Sequence, residues 1–153
     1  MCGILGLLPA ITPAAFSSAL DLIQHRGPDG KGIWQDSSVI LGHQRLSILD
    51  RSSKASQPMH YSERLHIVFN GEIYNFMEIR TELKNLGFLF SNDSDTEVIL
   101  AAYASWGSEC VHKFNGMWAL AIWDSRDQSL FLSRDPMGEK PLFYFLEGGR
   151  FGF

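Results

Sequence analysis

Apolar and polar positions along this chain switch between a strand-like and a helix-like period, and the switches mark its elements. Residues 2–8 (CGILGLL) form a short apolar run stopped by Pro9, which predicts a buried strand. Thr12 followed by Pro13 predicts an N-cap and a helix-first proline, and Phe16, Leu20 and Ile23 give that helix one apolar side. Residues 25–32 (HRGPDGKG) are rich in turn formers and read as a loop. Strands are expected over 38–43 and 65–69, around a polar connection at 51–57, with Asn70-Gly71 as a turn. Asn75 is placed to cap a second helix that carries Phe76, Ile79, Leu83 and Leu86 and stops at Gly87. Ser94 and Glu97 match a capping box ahead of a third helix over 97–105. The apolar run 117–123 predicts a strand, 125–128 a hairpin turn and 129–133 the return strand. Residues 142–145 and 150–153 flank Gly148-Gly149 as a last hairpin.

Roughly seven strands and three or four helices result, and the C-terminal strands follow one another by tight turns. That order predicts an α+β fold, antiparallel sheets with helices packed outside, over a doubly wound parallel sheet. No repeat, linker or low-complexity tract divides the chain, so residues 1–153 read as a single domain. Phe153 falls inside an apparent strand, so the sequence is expected to be a piece of a longer one.

Composition removes several function classes. The net charge is −4, from 13 basic and 17 acidic residues without a Lys/Arg run, so nucleic acid is not an expected partner. The N-terminus is apolar, but the first basic residue is Arg26 and Pro9 and Pro13 interrupt it, so neither a secretory signal nor a membrane span is expected. Cys2 and Cys110 are too few for a disulfide framework and fit a reducing cytosol, so a cytoplasmic location is expected. His25, His43, His60, His66 and His112 are scattered without HExxH spacing, and no metal site is expected. No GxSxG elbow occurs, and GPDGKG is not a phosphate loop.

Candidate chemistry starts at Cys2. Removal of Met1 would leave a thiol and a free α-amine on one residue, and an α-amine has an ordinary pKa of about 7.7–8.0, suited to a base. The alternative is a cysteine that carries no role. Asn70-Gly71 is either a turn or a pair of donors, a side-chain amide and a glycine N–H, aimed at one oxyanion. Arg45 is either a surface residue paired with Asp50 or a planar clamp for a carboxylate. Asp95 either answers the dipole of a capped helix or meets a ligand ammonium. Cys110 reads as a small buried hydrophobe, and Trp106, Met117, Trp118 and Trp123 read as core. Together, a carboxylate clamp, an ammonium partner, oxyanion donors and an amine-bearing thiol suit an amino acid with a reactive side-chain carbonyl.

The ordered segments MCGI, HRGPDG, GHQRLSILD, QPM, FNGEIYN, SDTEVIL, FNGMWALAIWD and RDPMGEKPLFY resemble the glutamine-hydrolysing domain of the asparagine synthetases, over essentially the whole chain. That family belongs to the class II glutamine amidotransferases, which are N-terminal nucleophile hydrolases. The resemblance implies a four-layer αββα sandwich. It implies Cys2 as nucleophile with its α-amine as proton acceptor, and Asn70 and Gly71 as the oxyanion hole. It further implies Arg45 on the glutamine α-carboxylate and Asp95 on the α-ammonium with Glu72 nearby, and counts Leu46 and Ile48 in the same glutamine site. The implied reaction releases ammonia and then hydrolyses a thioester to glutamate, with no cofactor in this domain. ATP and Mg are implied only for a synthetase domain of the same protein, expected beyond Phe153; alone, this chain is expected to be a glutaminase and not to make asparagine. L-Glutamine and that domain are the implied partners, and homodimerisation stays open. The acceptor of the ammonia stays open between aspartate and another carboxylate such as a sugar acid. A non-catalytic domain that keeps the fold, and a hydrolase of another amide, are the alternatives. The 134–144 segment reads as a structural turn or a surface facing a partner domain.

Overall fold

A computed structural model describes residues 1–47 and 55–153. The expected site residue Ile48, Asp50 and most of the polar connection at 51–57 lie outside the described residues. The described elements are β1 (Gly3–Leu8), α1 (Pro13–Asp21), β2 (Gly30–Gln35), β3 (Ile40–Arg45), β4 (Met59–Tyr61), β5 (Leu65–Ile73), α2 (Phe76–Asn85), α3 (Asp95–Trp106), β6 (Gly116–Asp124), β7 (Ser129–Arg134), β8 (Phe145–Glu147) and β9 (Arg150–Gly152). Short 3₁₀ helices at Gln24–Arg26 and Gly107–Lys113 join them.

The strands form two antiparallel sheets. One has the order β2-β3-β1-β9-β8 and the other β4-β5-β6-β7. Alternation along each strand sends side chains to opposite faces, and this sorts the core into three apolar layers. Phe16 and Leu20 of α1 pack with Ile40 on the outside of the first sheet. Val39, Leu41, Val68, Ala121, Trp123 and Phe153 fill the space between the sheets. Ile67, Phe69, Ile79, Leu83, Ile99 and Leu120 pack α2 and α3 onto the outside of the second sheet. Three buried layers between four sets of elements make an αββα sandwich, as the resemblance implied. The sheets are also tied directly: the Trp123 indole N–H donates to Asp36 at 2.8 Å, and Trp34 stacks on His66 with ring centres 3.6 Å apart.

Several local expectations are corrected. Residues 30–32 are strand, not loop: they open β2, whose Gly30 to Gln35 pair with Arg45 to Ile40 as the sheet's edge. A Cβ on Gly32 would sit 2.0 Å from the Gln57 carbonyl, so a turn-forming residue serves a close approach there. Asn70-Gly71 is not a turn. Both residues lie inside β5 and pair with Ala119 and Trp118 of β6, and this nine-residue pairing overrides the local turn preference. Asn75 precedes α2 without capping it; its side chain instead bridges Lys113 and Asn115. α3 starts at Asp95, two residues earlier than expected, with Ser94 Oγ accepting the Glu97 N–H at 3.2 Å. The capping box is half formed, since the Glu97 carboxylate turns to the N–H groups of Ser91 and Asn92. Cys110 is buried as expected, and burial pushes its thiol up to about 12.

Candidate active site

Strand alternation brings the site together. Cys2 precedes β1 in phase with Ile4, on the face between the sheets, and its neighbour β3 brings His43 and Arg45 to that face. Asn70 and Glu72 of β5 point the same way as Val68, and Met117 of β6 the same way as Ala119 and Ala121. At this end of the sandwich polar residues replace the hydrophobic filling. The result is a cavity of about 140 Å³ lined by Cys2, Arg45, Leu46, Asn70, Gly71, Glu72 and Asp95, among others. Apart from Ile48, every residue expected in the site from sequence lines this one space.

The nucleophile candidate is held by the chain beyond β3. The Leu46 N–H donates to Cys2 Sγ at 3.4 Å, and the thiol donates back to the Leu46 carbonyl at 3.7 Å. Ser47 N–H donates to Asp29 at 2.8 Å, which secures the same segment from the HRGPDG turn. Gly27 in that turn lies against β3; a Cβ there would sit 2.3 Å from the Gln44 carbonyl. Arg45 Nη1 reaches Ser56 Oγ at 3.4 Å.

The oxyanion candidates owe their availability to the end of β4. Alternate residues of a strand direct their N–H groups to the same side. On β5, the Phe69 N–H goes to Gln57 Oε1 at 2.6 Å and the Ile73 N–H to Asp95 Oδ2 at 3.1 Å, both away from β6. Gly71 lies midway, so its N–H leaves on that side too. β4 covers this edge only as far as the Met59–Ile67 pair. The Gly71 amide therefore faces the cavity, between two neighbours whose amides are already satisfied by side chains. Asn70, 4% exposed, lies beside it.

Asp95 is buried at the start of α3, and burial, reinforced by the nearby Glu72 charge, raises its pKa to about 6 against the hydrogen bonds from Ile73 and Thr96. Such a carboxylate gains from a cation placed beside it. His43 is 1% exposed, and burial first, with the Arg45 charge adding, drives its pKa down to about 4 despite its bond to the Phe69 carbonyl at 3.3 Å. It is a neutral imidazole at neutral pH.

The sequence reading missed His43, Gln57, Thr96 and Lys140, all of which line the cavity, and assigned Met117 to the core although it lines the cavity too. His43 had a signal, since it stands two residues before Arg45 on one strand face. Gln57, Thr96 and Lys140 arrive from other elements, and nothing local marks them. Among the described residues no group of three or more His, Cys, Asp or Glu is arranged to hold a metal ion, and no helix is long and apolar enough to cross a membrane.

Comparison with known proteins gives the family and the fold. A family model described as glutamine amidotransferase domain matches residues 1–153. Asparagine synthetase [glutamine-hydrolyzing] 1 of Bacillus subtilis is 42% identical over 94% of this chain and 24% of its own length. Asparagine synthetase B of Escherichia coli is 39% identical over 94% of this chain and 26% of its own length. The chain thus spans about a quarter of these relatives. The solved structure of glutamine phosphoribosylpyrophosphate amidotransferase from B. subtilis superposes with a TM-score of 0.81 at 20% identity, over 99% of this chain and 41% of that one, and shares the N-terminal nucleophile hydrolase fold. A cavity that gathers Cys2, Arg45, Asn70, Gly71 and Asp95, on this fold and under this family match, identifies the chain as a member of the class II glutamine amidotransferase domain family, related to the glutaminase domains of asparagine synthetases.

Proposed function

We propose that this domain hydrolyses L-glutamine to glutamate and ammonia with Cys2 as nucleophile, after removal of Met1. The observation that carries the reading is the gathering of a thiol, a free strand amide, a guanidinium and a buried carboxylate in one cavity. Glutamine would enter with its α-carboxylate on Arg45 and its α-ammonium between Asp95 and Glu72. Leu46, which lines the cavity, would flank its side chain, and the resemblance counts Ile48 in the same site. The Cys2 sulfur attacks the side-chain carbonyl carbon while its own α-amine takes the thiol proton. The oxygen gains negative charge and is met by the Asn70 side-chain amide and the Gly71 N–H. Collapse of the tetrahedral species breaks the C–N bond, with the amine returning the proton to departing ammonia. Water then cleaves the thioester, and glutamate leaves.

This half needs no cofactor. The ammonia is supplied to a synthetase domain of the same protein, where ATP and Mg would act and where the acceptor, aspartate or another carboxylate, is chosen. The test is glutamate release by protein with a confirmed free Cys2 amine. Wild type releases glutamate, Cys2→Ala does not, and protein retaining Met1 is nearly inactive. Glutamine binding without release, in correctly processed wild type, would make this a binding domain instead.

A further inference from the structure

The RDPMGEKPL segment belongs to no step above, yet it sends one side chain into the cavity. After β7 the chain wraps around Asp135, whose carboxylate accepts the N–H groups of Trp118, Glu139 and Lys140 at 3.2, 2.8 and 3.0 Å. Arg134 closes the loop from the other side, donating to the Lys140 carbonyl at 2.7 Å. Gly138 turns at φ +67°, where a side chain would be strained. This cage fixes the Lys140 backbone, and the residue, 6% exposed, lines the cavity together with Cys2.

The Lys140 ammonium has a poor partner there. Its Nζ bonds Met1 Sδ at 2.9 Å, a thioether and so a weak acceptor, and no carboxylate within ion-pair distance answers it among the described residues. A buried ammonium ordinarily pairs with an anion. Met1 is the residue whose loss exposes the Cys2 amine. Its departure frees the Lys140 ammonium from this thioether contact, beside a thiol and a new amine.

We infer that Lys140 is a positioning residue for the nucleophile: in the processed protein its ammonium occupies the space left by Met1 and favours the deprotonated form of Cys2. The inference rests on Cys2 being the nucleophile. Loss of one proton from Cys2, to solvent, makes the residue more negative, and a fixed cation stabilises that state. The other charged and titratable groups facing Cys2 are His43 and Arg45 from β3, Glu72 from β5, Asp95 from α3 and Arg26 from the first 3₁₀ helix. Glu72 and Asp95 oppose deprotonation, and neutral His43 does not contribute. Arg45 and Arg26 act in the same direction as Lys140, but Arg45 is committed to the substrate carboxylate. Lys140 therefore offsets the two acidic groups while Arg45 is occupied.

The test is the pH dependence of iodoacetamide alkylation at Cys2 in processed protein, since alkylation follows the thiolate and Cys110 is buried with its thiol near 12. Lys140→Met moves the midpoint upward by about one pH unit, and Lys140→Arg leaves it near wild type. Lys140→Gln is the second neutral variant should Lys140→Met fold poorly. The acid limb of kcat/KM for glutamine moves with the alkylation midpoint. Coincident midpoints in wild type and a folded neutral variant overturn the inference. Alkylation does not require turnover, so a wild type that alkylates normally but releases no glutamate counts against the proposed reaction alone.

Discussion

Asp95 Oδ2 accepts the Ile73 N–H at 3.1 Å, which ties the first turn of α3 to the strand edge that carries Gly71. One carboxylate thus braces the strand edge beside Gly71 and lines the cavity, where the proposed function sets it against the glutamine ammonium. Its pKa of about 6 reflects the cost of keeping it charged while buried beside Glu72. Asp95→Asn removes that cost and keeps an acceptor for Ile73. The variant is expected to be more stable than wild type at pH 7, by about 1–3 kcal/mol in urea unfolding. It is expected to bind glutamine about 10²-fold more weakly, read as a rise in KM larger than the fall in kcat. A variant that is both less stable and unchanged in KM would remove Asp95 from the ammonium site.

His43 and Asp95 carry opposite linkage to pH. The folded pKa of His43 is depressed from 6.5 to about 4, so its contribution to stability is full above pH 6.5 and is lost as pH falls toward 4. The folded pKa of Asp95 is raised from 3.8 to about 6, so its contribution is full below pH 3.8 and is lost as pH rises through 6. Between about pH 4 and 6 the two slopes oppose each other. Wild-type unfolding free energy is expected to change little from these groups across that window. Asp95→Asn leaves the histidine slope alone, so its stability falls on acidification by about 1.4 kcal/mol per pH unit at most. His43→Gln reverses the slope. Parallel profiles for wild type and both variants would mean that neither group is perturbed as its burial implies.

The three α-helices and the strands β1, β5, β6 and β7 were readable because they rest on short-range patterns, whereas β4 was not foreseen. The apolar run of β1, the Ser94 cap and the β6-β7 hairpin each announce themselves within a few residues. The failures arose where a long-range contact overrode a local preference. Gly30 and Gly32 looked like loop residues because nothing local shows β3 alongside or the Gln57 carbonyl pressing in. Asn70-Gly71 looked like a turn because the sequence does not show that β6 extends the pairing of β5 through Ile73. Both residues nonetheless line the cavity, from within a strand rather than from a turn. Arg45, Asp95 and Cys2 were legible as chemistry, while Lys140 was not, since it reaches the cavity only through a loop folded around Asp135.

Asn70 and Gly71 separate catalysis from binding. Asn70→Ala removes one proposed oxyanion donor and is expected to lower kcat about 10²–10³-fold with little change in KM. Gly71→Ala acts through the backbone: the new Cβ would lie 2.2 Å from the Met117 carbonyl and 2.8 Å from Trp118 Cα. The β5-β6 pair must shift, which costs about 1–3 kcal/mol of stability and displaces the amide from the cavity. Steady-state kinetics with thermal unfolding distinguishes the two variants. Equal kcat in Asn70→Ala and wild type would exclude the side chain from the oxyanion site.

Gln57 tests whether the strand edge matters as a unit. Its Oε1 takes the Phe69 N–H at 2.6 Å while its Nε2 reaches Thr96 Oγ1 at 3.4 Å, so it bridges β5 to the first turn of α3 beside Asp95. Gln57→Leu strands the buried Phe69 amide and is expected to cost about 1–3 kcal/mol. Gln57→Glu keeps the acceptor but adds a negative charge near Asp95 and Glu72. Like charge raises the Asp95 pKa further, so the rise of KM on acidification begins at higher pH than in wild type. At high pH, where Asp95 is ionised in both proteins, KM returns toward the wild-type value because the bridge to Phe69 is intact. A Gln57→Glu profile that differs from wild type by the same factor at every pH would point to a packing fault, and it would uncouple this edge from the ammonium site.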